Sequence, residues 1–216
     1  MNILNQYKKI KQNIEDYSLN ISPNLIVVTK GRSLADIQKI INVGHTHFGE
    51  NRVQESINKW KDILKINTDI KLHFIGKLQT NKVVDVIPHF SFIHSLDNDK
   101  LALKISVEEK KLKKTLNYFV QVNLGEENQK SGILKQDLSR FINYCKNDLN
   151  LNIIGLMCLP PINDDSDKYF KELKQLAFDN NLKELSMGMS NDYISAIKNG
   201  STFVRIGSGI FEEKFN

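Results

Sequence analysis

The stretch Leu25-Ile-Val-Val-Thr29-Lys30-Gly31-Arg32-Ser33 is a β-branched run that ends in a lysine, a glycine and a serine. Consecutive apolar residues bounded by turn chemistry describe a strand buried on both faces, as in a parallel sheet. Ser33 with Asp36 three residues on is an N-cap signal, and Leu34, Ile37, Ile40 and Ile41 then recur at helical spacing up to Gly44. The unit is therefore strand, polar turn, helix. It places Lys30 at the mouth of the sheet, in a setting expected to be drier than a surface position. An amine there is a nucleophile for carbonyl carbons, with an imine as product. The plain alternative is a lysine whose head reaches back to water.

The same unit recurs along the chain. Strands are predicted over 46–48, 71–75, 91–95, 117–123, 151–157, 184–187 and 202–206, each followed by an apolar helical stripe or a turn. Strict alternation of strand and helix means parallel strands with helical crossovers. Eight units are enough to close a (β/α)8 barrel, and polar, glycine-rich residues follow nearly every strand, as a site gathered from many βα loops requires. A doubly wound sheet would carry a GxGxxG after its first strand, which is missing. Residues 1–18 precede the first strand with Ile3, Leu4, Tyr7, Ile10, Ile14 and Tyr17 at helical spacing, so a leading helix packs on the barrel. No linker divides the chain, and 1–216 is expected to be one domain.

Of 216 residues, 40% are hydrophobic and 25% charged, a globular composition. The net charge of +5 is spread along the chain, and the densest cluster, Glu108-Glu-Lys-Lys-Leu-Lys-Lys114, reads as the solvated end of a helix. No aromatic platform accompanies it, so nucleic acid is not an expected partner. Cys145 and Cys158 have neither metal-ligand nor CxxC spacing, and the first residues resemble no signal peptide or membrane span. No metal, no membrane and a reducing, cytoplasmic setting are the expectations.

Closing the barrel makes strand eight the neighbour of strand one, which brings Arg205 towards Lys30. The turns after strands seven and eight, Gly188-Met-Ser190 and Gly207-Ser-Gly209, stand where such barrels form a phosphate cup from backbone N–H groups. Taken singly, Ser190 is also a plain helix cap, the glycines plain turn residues and Arg205 a member of a surface ion pair. Together, an imine-forming lysine beside a phosphate cup fits a phosphorylated carbonyl compound: pyridoxal 5′-phosphate (PLP), or a sugar phosphate bound by a Schiff-base aldolase.

Ordered blocks along the chain carry a resemblance. Val28-Thr-Lys30, Phe48-Gly-Glu-Asn51 with Val53-Gln-Glu55, His73-Phe-Ile-Gly76 with Leu78-Gln-Thr-Asn-Lys82, and Glu127-Asn-Gln-Lys-Ser-Gly132 resemble the pyridoxal phosphate homeostasis protein family. So do Gly155-Leu-Met157, Leu185-Ser-Met-Gly-Met-Ser190 and Gly200-Ser-Thr-Phe-Val-Arg-Ile-Gly207. The resemblance implies a barrel like the N-terminal domain of alanine racemase. It implies PLP bound as an imine to Lys30, Arg205 near the pyridine nitrogen, Ser190, Gly207 and Ser208 on the phosphate, Asn51 near the ring, and Met157 in the cofactor-binding set. It also implies a cytoplasmic carrier of the cofactor without established turnover, expected to be monomeric and to serve PLP-dependent apo-enzymes.

The alternatives are a racemase-like PLP enzyme, the aldolase, and an interaction module whose only hint is the Lys-rich helix. An enzyme needs an acid or base facing the imine. His73, His94 and Tyr193 are the candidates, with His73 and His94 expected in the core, and the second domain that gives alanine racemases a tyrosine is not expected here. Gly31-Arg32 departs from the family pattern and suggests a looser mouth at strand one, and the tail 210–214 lacks a glycine after Phe211. Lys130 is an exposed loop lysine or a secondary aldehyde-reactive site, and the Pro160-Pro161 loop has no assigned place.

Overall fold

The computed structural model describes residues 2–18, 22–125, 131–161 and 164–212. Eight strands succeed one another: β1 (Asn24–Val28), β2 (His47–Glu50), β3 (Lys71–Phe74), β4 (Phe92–Leu96), β5 (Asn117–Gln121), β6 (Ile153–Met157), β7 (Glu184–Ser186) and β8 (Phe203–Ile206). Each pairs in parallel with the next, and β8 pairs with β1 through Ile26 opposite Arg205, so the sheet closes. The (β/α)8 barrel is the architecture, and the doubly wound sheet is excluded by that last ladder.

The helices are α1 (Ile3–Tyr17), α2 (Leu34–Ile41), α3 (Val53–Ile66), α4 (Val83–Val86), α5 (Asp99–Leu112), α6 (Leu138–Asn143), α7 (Ser166–Asp179), α8 (Tyr193–Lys198) and α9 (Ser208–Phe211). Asn2 caps α1 by accepting from the Leu4 N–H, and Tyr7, Ile10 and Ile14 form the stripe it buries against α2, α8 and α9. The leading helix thus covers the seam where the first and last units meet. Among the described residues no helix is long and apolar enough to cross a membrane.

Alternation along each strand divides the core in two. Phe48, Trp60, Phe74 and Phe90 lie fully buried in the layer between sheet and helices, while Ile26, Phe92, Phe119, Met157 and Phe203 fill the barrel itself. Gly155 marks where two strands come closest, since a Cβ there would lie 2.0 Å from the Glu184 carbonyl oxygen. β6 and β7 cannot part without opening the barrel. Gly155→Ala is therefore expected to cost roughly 3 kcal/mol or more, at or beyond the usual range for overpacking, read as a lower urea midpoint.

The helical piece expected after β3 is a 3₁₀ turn at Thr80–Lys82 followed by the four residues of α4. Two expectations are corrected. β5 stops at Gln121, because Val122 keeps only an isolated bridge to Ile133. In the charged end of α5 the lysines at 110, 111 and 113 are exposed, but Glu108 and Glu109 are buried. Glu109 accepts from the Tyr118 hydroxyl at 2.8 Å, and burial raises its carboxyl pKa above the usual range.

Candidate functional site

A cavity of about 600 Å³ opens at the carboxyl end of the barrel. Its wall is built from the turns after six strands: Lys30 after β1, Asn51 after β2, Gly76 after β3, Pro160 and Pro161 after β6, Ser190 after β7, and Gly207 and Ser208 after β8. Arg205, on β8 itself, reaches it from below. The closure of the barrel thus gathers six of the seven expected cofactor-binding residues. Met157 is the exception: it is 1% exposed inside the barrel, below the wall. A second cavity, about 400 Å³, lies at the opposite end between α1 and the starts of β1 and β2.

Lys30 is exposed, not set in a dry mouth. β1 ends at Val28, so Lys30 stands on the turn beyond the ladder, followed by Gly31 in the left-handed region at φ 66°. What is buried is the scaffold of that turn. Lys59 of α3, its side chain 7% exposed, donates to the Thr29 carbonyl at 2.7 Å and to Glu50 and Glu55 at 2.9 and 3.0 Å. The Gly31 N–H donates to Glu55 at 2.7 Å, and with Lys59 this holds the Glu55 carboxyl below the usual carboxylate range. Glu50, fully buried, also accepts from Thr29 Oγ1 and Trp60 Nε1. Both neighbours of Lys30 are therefore fixed to α3, while its methylene chain stays free to follow a carbonyl group.

At the rim, Arg32 pairs with Glu212 and lies over the Phe211 ring, which ties the turn to α9. The looser mouth expected from Gly31-Arg32 is not found. Sequence reading did not single out Lys59. The only signal was its i, i+4 spacing from Glu55 on one helix face.

The β7 and β8 turns form a donor cup. Among the described residues nothing accepts from the backbone N–H groups of Ser190, Asn191, Gly207 and Ser208, and all four residues line the cavity. The Gly209 N–H donates to Ser190 Oγ at 3.2 Å, which links the two turns. Arg205 is 5% exposed, donates to Ser186 Oγ at 2.6 Å and the Cys158 carbonyl at 3.1 Å, and has no ion pair among the described residues, contrary to the plain surface-pair alternative. Asn51 Oδ1 is buried and without a hydrogen-bond partner. The cavity therefore holds an amine, a buried cation, four free N–H groups and an orphan acceptor, a set that fits PLP's aldehyde, ring and phosphate.

Gly76 keeps Asn51 in place, since a Cβ at 76 would lie 2.4 Å from the Asn51 carbonyl oxygen. Gly76→Ala is expected to displace Asn51 and weaken ligand binding roughly tenfold, measured by ligand titration of a variant whose melting is checked in parallel.

The acid–base candidates do not reach the wall. His73 and His94 are fully buried in the barrel, and the Tyr193 hydroxyl accepts from Asn13 of α1 at 2.7 Å on the outer side. Both cysteines are buried, which pushes each thiol up to about 12. Lys130 lies outside the described residues.

The family model for the alanine racemase N-terminal domain matches residues 6–214. Over 197 residues the chain is 37% identical to the pyridoxal phosphate homeostasis protein of Pasteurella multocida, covering 87% of this chain and 84% of that one. PipY of Synechococcus elongatus PCC7942, solved with PLP bound, is 30% identical with a TM-score of 0.87, over 97% of this chain and 100% of PipY's. Alanine racemase of Corynebacterium glutamicum shares the fold at 12% identity and a TM-score of 0.74, over 98% of this chain and 60% of the racemase. A barrel whose sequence matches that family model and the homeostasis protein over most of its length belongs to the pyridoxal phosphate homeostasis protein family, within the wider group built on the alanine racemase N-terminal domain.

Proposed function

We propose that residues 1–216 act as one unit that binds PLP covalently through Lys30, limits its free concentration and releases it to PLP-dependent apo-enzymes. The observation that carries this is the convergence in one cavity of Lys30, Arg205 and the N–H cup of the β7 and β8 turns. When bound, the cofactor supplies an electrophilic carbonyl and an aromatic ring. Lys30 is the residue that would hold that carbonyl through its amine, with water as the by-product. The cup and the hydroxyls of Ser190 and Ser208 take the phosphate. Asn51 Oδ1 is the acceptor available to a hydroxyl on the ring.

Two features favour holding over turnover. Arginine keeps its proton, so Arg205 beside a pyridine nitrogen withholds the protonation that makes the ring an electron sink. The described wall carries no histidine or tyrosine, and each of its three acids is engaged: Asp164, pulled down to about 2 by Lys168 and the Tyr169 hydroxyl, is a poor base, Glu212 pairs with Arg32, and Asp192 accepts from the Met189 N–H. The relatives named as homeostasis proteins agree with that reading.

The test has two parts. PLP added to the ligand-free protein should give a yellow species that borohydride fixes onto the peptide holding Lys30. The loaded protein, incubated with amino acids in deuterated water, should not exchange their α-protons. Ready exchange would replace the carrier with a racemase-like enzyme, and no yellow species would end the reading.

A further inference from the structure

Three histidines on neighbouring strands run through the barrel beneath the cavity floor. His94 Nδ1 lies 2.8 Å from Ser186 Oγ, His94 Nε2 lies 2.9 Å from His73 Nδ1, and His73 Nε2 lies 2.8 Å from His47 Nδ1. The imidazole faces are covered by phenylalanines, His94 stacking on Phe119 at 4.3 Å and His73 on Phe92 at 4.2 Å. The upper end of the file is Arg205, donating to Ser186 Oγ at 2.6 Å.

A buried cation ordinarily sits against a carboxylate, and among the described residues Arg205 has none at ion-pairing distance, Asp192 on the same cavity wall acting on it only from further off. Counting protons shows what stands in its place. Ser186 has one proton, its oxygen already accepts from Arg205, and the acceptor in reach of its O–H is His94 Nδ1. His94 then carries its proton on Nε2 and donates to His73 Nδ1, and His73 carries its proton on Nε2 and donates to His47 Nδ1. The reverse order would leave the Ser186 hydroxyl proton without an acceptor inside the barrel. In the forward order each unprotonated nitrogen, the negative end of its ring dipole, faces Arg205. Burial favours the neutral rings this requires, holding His73 and His94 well below the usual imidazole range.

We infer that Ser186 and the His94–His73–His47 file serve Arg205 in place of a counter-ion, as aligned dipoles that fix its guanidinium at the cavity floor. Ser186 and His94 are thus positioning residues for whatever ring Arg205 meets. Only the identity of that ring rests on the proposed PLP reading, because the proton order belongs to the chain alone.

Nitrogen-15 NMR of the histidine-labelled, ligand-free protein tests the order directly. Signals from His47, His73 and His94 should all be those of the Nε2–H tautomer, and an Nδ1–H tautomer at His94 overturns the inference. In a second arm Ser186→Ala and Ser186→Thr are titrated with PLP, their melting being followed in parallel. Ser186→Ala should bind roughly tenfold more weakly with a shifted visible absorption, and Ser186→Thr, which keeps the hydroxyl, should restore both. Wild-type affinity and spectrum in Ser186→Ala would overturn the positioning role. If Ser186→Ala does not fold, the tautomers of the wild-type chain decide. A wild-type chain that takes up no PLP ends the functional reading and leaves the tautomer result standing.

Discussion

Lys30→Ala is expected to give a folded barrel that stays colourless with PLP and binds it at least roughly 100-fold more weakly, about 2.8 kcal/mol at 1.4 kcal/mol per tenfold. The fold should tolerate the change because Lys30 is exposed and neither donates a hydrogen bond nor pairs with an acid among the described residues. Exposed truncations of that kind fall within about 0.5 kcal/mol. The groups that fix its turn, Lys59, Glu50 and Glu55, are untouched. What remains for the ligand is the N–H cup and Arg205, so weak, phosphate-dependent binding should persist and be displaced by inorganic phosphate. Lys30→Arg separates charge from chemistry: it keeps the cation but has no free amine, and should lose the colour as fully as alanine does. Equilibrium dialysis gives the affinity, and borohydride trapping followed by peptide mapping gives the bond. A variant that remains yellow, with the trapped cofactor on another lysine, would remove Lys30 from the site.

The barrel was legible because its signals are local. Each strand–turn–helix unit shows in spacing alone, and eight units imply a closure that no single unit shows. From that closure the meeting of Lys30 with Arg205 and the two glycine turns could be read, although about 175 residues separate them in sequence. What could not be read depends on one more level of geometry. The exposure of Lys30 follows from a strand that ends at Val28, one residue before the end of the β-branched run, a boundary that periodicity does not resolve. Met157 points inward, as a period of two requires, but one layer too deep, and depth depends on strand stagger. His73 and His94 were legible one at a time as core residues. Their joining into a file with His47 and Ser186 required the stagger of several strands. The diproline after β6 carried only a break signal, and its place on the cavity wall is a product of the closed barrel.

Those buried histidines make the fold acid-sensitive. As pH falls from about 6.5 to 4 the chain is expected to lose several kcal/mol of stability while its carboxylate pairs are still ionised. His45, held by burial at about 4 against the usual 6.5, accepts from the Tyr7 hydroxyl and donates to the His47 carbonyl. His47 lies at about 4 as well, from burial and the nearby Lys71, while complete burial holds His73 and His94 well below the usual imidazole range. Each native ring is neutral where the unfolded chain is protonated, so unfolding takes up protons and stability rises with pH through this window. The stability is whole above about 6.5, declines below it, and for each group stops declining once pH is under its folded value. His45 alone accounts for roughly 3 kcal/mol by the time pH reaches 4. Asp97 and Glu109 act in the opposite sense, because burial raises both and protonation then favours the fold, but they are two groups against five, His89 being lowered by burial as well, and regain stability only towards the carboxylate range. Urea midpoints at pH 7.5, 6 and 5 should therefore fall with a slope steeper than about 1.4 kcal/mol per pH unit, the mark of more than one proton taken up. His45→Gln removes one of the titrating rings and should flatten that slope even if it lowers stability at neutral pH. A profile level from pH 7.5 to 5 would mean that the rings are charged or solvated in the native barrel, and with them the proton order assigned beneath Arg205 would fall.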